Sequence, residues 1–257
     1  CRDVGESLIV PKDNVKVVDA KGKLVIPGGI DTHSHLEFYF MGTRTADDYY
    51  TGTRAALAGG TTTVLSFIIE DRNTSLLDAY NLSRERAAKM ACCDYSFHTC
   101  VQKWDDRVEK DLEVIVREKG INSVKVFMAY KDVLMLRDED LIRVMKKCKE
   151  LGAVTLVHAE NGDLIDECTR KIKSYGILGP EGHLLSRPEP FEAEATKRAI
   201  TVGEELNSPV YIVHVMSKTS ALEIGNARRR GAVVFGEPIA AGLGTDGTHY
   251  LNKCWIH

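Results

Sequence analysis

Short apolar runs rich in β-branched residues alternate with amphipathic stretches along almost the whole chain. Because strand side chains alternate between two faces while helix side chains repeat every 3.6 residues, these patterns predict strands and helices in alternation. The predicted strands are residues 24–30, 62–69, 95–101, 123–129, 153–158, 210–215 and 233–238. Helical patterns lie between them, for example TADDYYTGTRAALAGG, DRVEKDLEVIVREKG, RDEDLIRVMKKCKELG and KTSALEIGNARRRG, and most end in glycine, as helix C-termini often do.

Repeated strand–helix alternation predicts a parallel sheet, either doubly wound or closed into a barrel. No Gly-x-Gly-x-x-Gly sequence follows a predicted strand, which argues against a dinucleotide-binding sheet. We therefore predict an α/β fold, a (β/α)8 TIM-type barrel truncated before its last strand, because seven strands are counted where eight close a barrel. Residues 25–257 are assigned to this partial barrel. Residues 1–24, with short strands and turns but no helix, are assigned to the edge of a small β module that feeds the barrel.

Composition narrows the classes of partner. The 257 residues include 34 basic and 37 acidic side chains, for a net charge of −3, so nothing favours nucleic acid or an anionic membrane as a partner. No apolar run reaches the roughly 20 residues that span a bilayer. The seven cysteines contain no Cys-x-x-Cys pair, which favours reduced thiols in a cytoplasmic protein. The sequence starts at a cysteine instead of methionine, which fits a piece of a longer protein.

Four histidines and one lysine are predicted where the strands of the barrel end. His33 and His35 follow the first strand, and they share a face because strand side chains have a period of two. His158 ends the fifth strand and His214 the sixth. Lys125 lies inside the apolar fourth strand, where an unpaired ammonium would cost several kcal/mol unless the side chain snorkels or changes its chemistry. Parallel barrels form their active sites at the C-terminal ends of the strands, so these five residues are the candidate site.

Each candidate also has an ordinary structural interpretation. One histidine at a strand end is more often hydrogen-bonded structure than a ligand, but four histidines at three strand ends favour a metal site. His98 on the third strand is interpreted as structural, and His183 and His249 in loops receive no role. Glu160 and Asp163 either orient the neighbouring fifth-strand histidine or cap the next helix, and both interpretations stay open.

A family resemblance covers nearly the whole chain. The sequence resembles dihydropyrimidinases, also called hydantoinases, of the cyclic amidohydrolase superfamily, in the strings GGIDTHSHLEF, AGGTTTVLSF, CCDYSFH, SVKVFMAYKD, GAVTLVHAENGDLI, GPEGHLLSRPE, EAEATKRAI, VYIVHVMSK and FGEPIAAGLGTDGTHY. This resemblance implies a metal-dependent (β/α)8 barrel with a small β-sandwich built from both chain termini. It also implies a homotetramer that acts in pyrimidine catabolism.

The resemblance implies a metal centre with two Zn²⁺ ions per subunit. His33 and His35 would hold one ion, and His158 and His214 would hold the other. Lys125 would be N-carboxylated and would bridge the two ions, which turns a buried cation into an anionic oxygen ligand.

The implied reaction is hydrolysis of a cyclic amide bond in a small molecule. Dihydrouracil or dihydrothymine would open to an N-carbamoyl-β-amino acid, and Tyr130 would contact the substrate and stabilise the developing oxyanion. As an alternative, Tyr130 is an ordinary tyrosine at the barrel rim. The family's metal-binding aspartate lies beyond the seventh strand, and neither Glu237, before a proline, nor Asp246, in a glycine-rich loop, is predicted to replace it. We therefore expect residues 1–257 to be inactive alone.

Two other functions remain possible on the sequence. One is a non-catalytic scaffold of the collapsin response mediator type, which shares the fold but has lost metal ligands, whereas this chain keeps all five that fall within its span. The other is a different cyclic amidohydrolase, such as allantoinase or dihydroorotase. The strings FMAYKD and GPEGHLLSRP argue against these enzymes, because they resemble dihydropyrimidinase sequences. The preferred substrate among dihydropyrimidines, hydantoins and imides is left open.

Overall fold

A computed structural model describes residues 4–9 and 13–251 of the chain. In chain order its strands are β1 (Gly29–Ser34), β2 (Tyr39–Phe40), β3 (Thr43–Arg44), β4 (Thr61–Ile68), β5 (Asp94–Cys100), β6 (Ser123–Phe127), β7 (Val154–His158), β8 (Val210–Ile212) and β9 (Val234–Gly236). Its helices are α1 (Tyr49–Ala58), α2 (Leu76–Met90), α3 (Asp106–Arg117), α4 (Asp138–Leu151), α5 (Gly162–Ser174), α6 (Glu181–Ser186), α7 (Glu189–Leu206), α8 (Lys218–Arg229) and α9 (Ala241–Gly244), followed by a 3-10 helix at Gly247–Leu251.

Seven parallel strands form one curled sheet in the order β1-β4-β5-β6-β7-β8-β9. Strands β2 and β3 form a separate antiparallel pair between β1 and α1. At least one helix connects each consecutive pair of sheet strands, as expected where parallel neighbours need a crossover. The predicted truncated TIM-type barrel is therefore confirmed. Strands β1 and β9 are the two edges of the sheet in the part of the chain that the structure describes.

Six of the seven predicted strands agree with the structure to within a few residues, but the first was placed too early. Residues 24–28 form no strand, and β1 begins at Gly29, where its pairing with Thr61 of β4 starts. The partner strand explains the shift, because β4 begins at Thr61 and the residues before Gly29 have no strand residue there to pair with. Pro27 adds to it, since proline has no backbone N–H to give to a ladder.

The two faces of the sheet have different roles. On β6, Val124 and Val126 are fully buried in the large cluster that packs the outer face of the sheet against the helices. The intervening side chains point to the other face, since strand side chains alternate. There Lys125 lies against the rings of Phe67 and Phe127. The inner face of the curled sheet is therefore where a polar site can form.

The residues before β1 hold no helix or strand within the described ranges 4–9 and 13–28. Large apolar side chains in this segment are exposed, including Ile9, Val17, Leu24 and Val25. The assignment of residues 1–24 to a β-sandwich domain remains a prediction. Within the described residues, none of the helices is both long and apolar enough to cross a membrane.

Candidate active site

The four predicted histidines converge at the C-terminal end of the sheet. The ring of His33 lies 5.3 Å from that of His35 and 5.2 Å from that of His214, centroid to centroid. The rings of His158 and His214 are 4.5 Å apart. Residues from the first, fifth and sixth strands of the sheet thus meet in one cluster, although up to 181 positions separate them in the sequence (214 − 33).

Burial keeps three of these imidazoles neutral. It lowers the pKa of His35 to about 3, with the neighbouring His33 and Lys125 adding to the shift. The pKa values of His158 and His214 are also lowered well below the ordinary range, again chiefly by burial. A neutral imidazole has one nitrogen lone pair available, which is the form that binds a metal ion.

Lys125 is completely buried, and its Nζ has no hydrogen-bond partner. The Nζ lies 4.8 Å from the ring centre of Phe67 and 4.9 Å from that of Phe127. Burial lowers the pKa of this amine from 10.5 to about 7, against the opposing influence of Cys100 and Glu237. A substantial fraction of the amine is therefore unprotonated and nucleophilic near neutral pH.

Glu237 is a site residue that the sequence reasoning missed. It follows β9, and its Oε1 contacts Nδ1 of His33 while its Oε2 accepts a hydrogen bond of 2.8 Å from the Tyr211 hydroxyl. Burial raises the pKa of the Glu237 carboxyl, but the hydrogen bonds from His33, Tyr211 and Thr32 outweigh burial and lower it overall. The sequence analysis considered Glu237 only as a replacement for the metal-binding aspartate, whereas in the structure it is a partner of the His33 ring.

The structure distinguishes between the two interpretations of Glu160 and Asp163. Oε2 of Glu160 lies 2.7 Å from Nε2 of His158, so Glu160 orients this ring. Asp163 instead pairs with Arg137 and Lys131. The helix cap belongs to neither carboxylate, since the side chain of the intervening Asn161 accepts the hydrogen bond from the first turn of α5.

Tyr130 lies at the rim, in the loop after β6. Its ring is 5.0 Å from that of His158, and the guanidinium of Arg187 lies 6.0 Å from its ring centre. Tyr130 has a φ of 63° and His214 a φ of 37°, and such strained non-glycine backbone tends to occur at functional sites. Burial raises the pKa of the Tyr130 phenol, which therefore stays protonated at neutral pH and can donate a hydrogen bond.

A cavity of about 600 Å³ opens beside this cluster. It is of a size that suits a small-molecule ligand. Its lining includes Tyr130, His158, Glu160, Arg187, His214 and Tyr250.

The three other histidines among the described residues lie outside the convergence. His98 is buried, donates from Nε2 to the Thr32 carbonyl at 3.0 Å and has Nδ1 2.6 Å from the Ser123 hydroxyl, which is a structural arrangement. His183 lines the cavity and contacts the Tyr250 hydroxyl at 3.0 Å. His249 lies in the exposed 3-10 helix.

The donor set fits a metal ion in its chemistry but not in its spacing. Within residues 4–9 and 13–251, no three His, Cys, Asp or Glu side chains form a group tight enough to hold an ion, and the histidine rings instead contact one another. Two buried polar atoms at the cluster have no partner, however: Nζ of Lys125 and Nδ1 of His35. Buried polar atoms are normally paired, so each of these two atoms has room in its bonding for a bound group. The neutral imidazoles and the unpartnered amine fit a metal centre chemically.

Comparison with known proteins agrees with the fold. The sequence model of the amidohydrolase family matches residues 24–222, and the chain belongs to that family. The chain is 52% identical over 259 residues to dihydropyrimidinase of Rattus norvegicus, covering 100% of this chain and 50% of the relative. It is 45% identical over 256 residues to dihydropyrimidinase-related protein 5 of Homo sapiens, covering 100% of this chain and 45% of the relative.

Solved structures give the same result. The dihydropyrimidinase of Brevibacillus agri superposes with a TM-score of 0.91 at 41% identity, covering 94% of this chain and 52% of that one. A D-hydantoinase from a Bacillus species superposes with a TM-score of 0.90 at 42% identity, over 94% and 52% of the two chains. The predicted resemblance to dihydropyrimidinases and hydantoinases is therefore confirmed. The chain spans about half the length of the curated relatives it matches.

Proposed function

We propose that this chain carries most of the catalytic barrel of a zinc-dependent cyclic amidohydrolase that opens 5,6-dihydropyrimidine rings to N-carbamoyl-β-amino acids. The observation that carries this proposal is the meeting of four histidines with a buried, unpartnered lysine beside a cavity. The similarity to the dihydropyrimidinases of rat and Brevibacillus agri supports it.

In this proposal two zinc ions would be held by the five residues at the strand ends, namely His33, His35, Lys125, His158 and His214. The neutral amine of Lys125 would attack carbon dioxide with formation of an N–C bond and loss of a proton, and the resulting anionic carbamate would supply oxygen ligands to the ions. Carboxylation removes the cost of a buried ammonium, and it accounts for a lysine with no hydrogen-bond partner at this point.

The chain's own residues supply orientation and hydrogen bonding. The bound ions would polarise the substrate carbonyl and make water a competent nucleophile near neutral pH. Glu160 holds the His158 ring through Nε2, which leaves Nδ1 of that ring for a ligand. Tyr130, kept protonated by burial, donates a hydrogen bond to the oxygen on which negative charge develops.

A non-catalytic scaffold is the second candidate, because a dihydropyrimidinase-related protein is also similar at 45% identity. The five proposed ligands favour the enzyme, since a scaffold has no use for a buried lysine without a partner. Allantoinase and dihydroorotase remain further alternatives, and dihydropyrimidines, hydantoins and imides are all candidate substrates.

We also propose a setting for the protein. Residues 1–24 would belong to a small β-sandwich and residues 25–257 to the barrel. The protein would act in the cytoplasm in pyrimidine catabolism as a homotetramer, with a small cyclic amide as its substrate and without nucleic acid or membrane as a partner. The five described cysteines, which are all free thiols, support the cytoplasmic assignment.

The test measures zinc content and the opening of 5,6-dihydrouracil, followed by loss of ultraviolet absorbance. Two proteins are assayed: residues 1–257, and the same residues joined to the C-terminal half of the 52% identical rat enzyme, which is about twice as long. Rat dihydropyrimidinase is the positive control. We expect bound zinc and ring opening in the joined protein, and little turnover by residues 1–257. A folded joined protein that binds no zinc and opens no ring would refute the proposal.

A further inference from the structure

The carboxylate of Glu237 is held from three sides. Its Oε1 contacts Nδ1 of His33. Its Oε2 accepts hydrogen bonds from the Tyr211 hydroxyl at 2.8 Å and from the Thr32 hydroxyl at 3.2 Å. The side chain is 12% exposed and that of His33 is 14% exposed, so water competes little for these bonds. A carboxylate with this many donors has a fixed orientation.

The backbone of Glu237 is fixed as well. Its N–H donates to the Ile212 carbonyl at 3.1 Å, and its carbonyl accepts from the Val215 N–H at 2.7 Å. These bonds continue the pairing of β8 with β9 past the end of β9. The carboxylate therefore projects from a rigid strand end towards β1, at the opposite edge of the sheet.

We propose that Glu237 is the positioning residue for His33. By accepting from Nδ1–H it selects one tautomer of the ring and leaves the lone pair of Nε2 for a ligand. Tyr211 and Thr32 act through Glu237 by holding its second oxygen. The inference rests on the proposed metal centre, because its functional consequence is the affinity of that centre.

The competing explanation is a purely structural tie. Glu237 and His33 join the two edge strands of the sheet, and such a contact would stabilise the curled shape whatever the tautomer of the ring. A structural tie and a positioning residue differ in two measurable properties: the tautomer of His33 without metal, and the zinc affinity of variants that remain folded.

The first measurement is the tautomer, which requires no metal. Nitrogen-15 NMR of histidine-labelled chain, with the His33 signals assigned from His33→Gln, should show His33 protonated on Nδ1. In Glu237→Ala this preference should be lost. A wild-type ring protonated on Nε2, or an unchanged tautomer in Glu237→Ala, would overturn the inference even if no zinc binds.

The second measurement is zinc affinity, by competition with a chromophoric chelator. Loss of a carboxylate that orients a metal-binding histidine typically costs about 10- to 100-fold in affinity, and we expect this for Glu237→Ala. Glu237→Gln, which keeps an acceptor oxygen, should lose less, and Tyr211→Phe should lose least. Circular dichroism checks that each variant is folded. Glu204→Ala, which removes a carboxylate that pairs with Arg230 on the surface, is the matched control.

The outcomes separate the two proposals. Absence of zinc from the wild-type chain would refute the metal centre, and the tautomer would still decide the role of Glu237. Zinc affinity within twofold of wild type in folded Glu237→Ala would overturn the positioning role alone. Equal losses in Glu237→Gln and Glu237→Ala would point to direct binding of metal by the carboxylate and would also overturn it.

Discussion

Lys125 and Glu237 differ in how far the sequence alone signals that they belong to the site. Lys125 stands out because a lysine within the apolar string SVKVF conflicts with burial, and the structure buries its side chain completely. Glu237 gives no such signal: a glutamate near a strand end is ordinary, and its partner His33 is 204 positions away. The left-handed backbone of Tyr130 was equally hidden, because a φ of 63° at a tyrosine has no sequence signature.

Replacing Lys125 should separate metal binding from folding. In Lys125→Met the unpartnered amine is gone, so we expect loss of bound zinc together with an apo chain more stable by about 1–3 kcal/mol, the usual cost of a buried unpaired polar group. Zinc is measured by elemental analysis, and stability by urea denaturation.

The matched control for this substitution is Lys147→Met. Lys147 is also buried, but it pairs with Glu109, Glu113 and Glu150. This variant should keep its zinc and gain no stability. Two zinc ions retained in Lys125→Met would refute the bridging role.

Tyr130→Phe removes one hydrogen-bond donor and keeps the ring that packs against Phe40 and His158. If the phenol stabilises the oxyanion, kcat for dihydrouracil should fall by about 100- to 1000-fold while KM changes much less. The kinetics are measured in the joined protein described above, with the exposed Tyr175→Phe as control. An unchanged kcat would show that Tyr130 is an ordinary tyrosine at the barrel rim without a role in the transition state.

The helices and strands were predictable where the local pattern is strong. Helix α4 ends at Leu151 and is capped by Gly152 with a φ of 71°, as the glycine at the end of its pattern predicted. The start of β1 was not predictable, because the apolar string before it reads as a strand while the pairing partner sets the boundary. Residues 24–26 are accordingly exposed instead of paired.

The start of α5 gives a test at this scale. A Cβ on Gly162 would lie 2.7 Å from Met135 Sδ and 2.9 Å from Ala129 Cα, so the helix must shift relative to the segment that carries Tyr130. We expect Gly162→Ala to destabilise the chain by about 1–3 kcal/mol. Gly225→Ala in α8 is the matched control, because the nearest atom to its Cβ is the flexible end of Arg229 at 3.7 Å.

The control substitution should instead stabilise the chain by about 0.5–1 kcal/mol, since alanine favours helix interiors. The free energies of unfolding of both variants and of the wild-type chain are measured by urea denaturation under the same conditions. A neutral Gly162→Ala would show that α5 can move away from the loop after β6 without cost, and the packing explanation would then be wrong.

At the scale of the whole molecule, the barrel class followed from the alternation of strands and helices, whereas the contact between its two edges did not. Strands β1 and β9 are not neighbours in the sheet, yet His33 and Glu237 meet across it. Curvature of the sheet brings these ends together, and curvature arises from strand twist and packing that no local pattern encodes. The order of the strands could thus be predicted from the sequence, but the contact between His33 and Glu237 at the site could not.

Zinc should therefore stabilise the fold as a whole, because its proposed ligands come from β6, β7 and the segments at the ends of β1 and β8. A ligand at 100 times its Kd stabilises the native state by about 2.7 kcal/mol. For a chain of this size that corresponds to a rise in Tm of roughly 5–10 °C. We expect this rise on adding zinc to chelator-treated protein, and no rise with magnesium or in Lys125→Met. Hydrogen exchange should slow in β1 and β8 together, since the ions would link strands far apart in the sheet. Protection confined to one strand would contradict a centre shared between them.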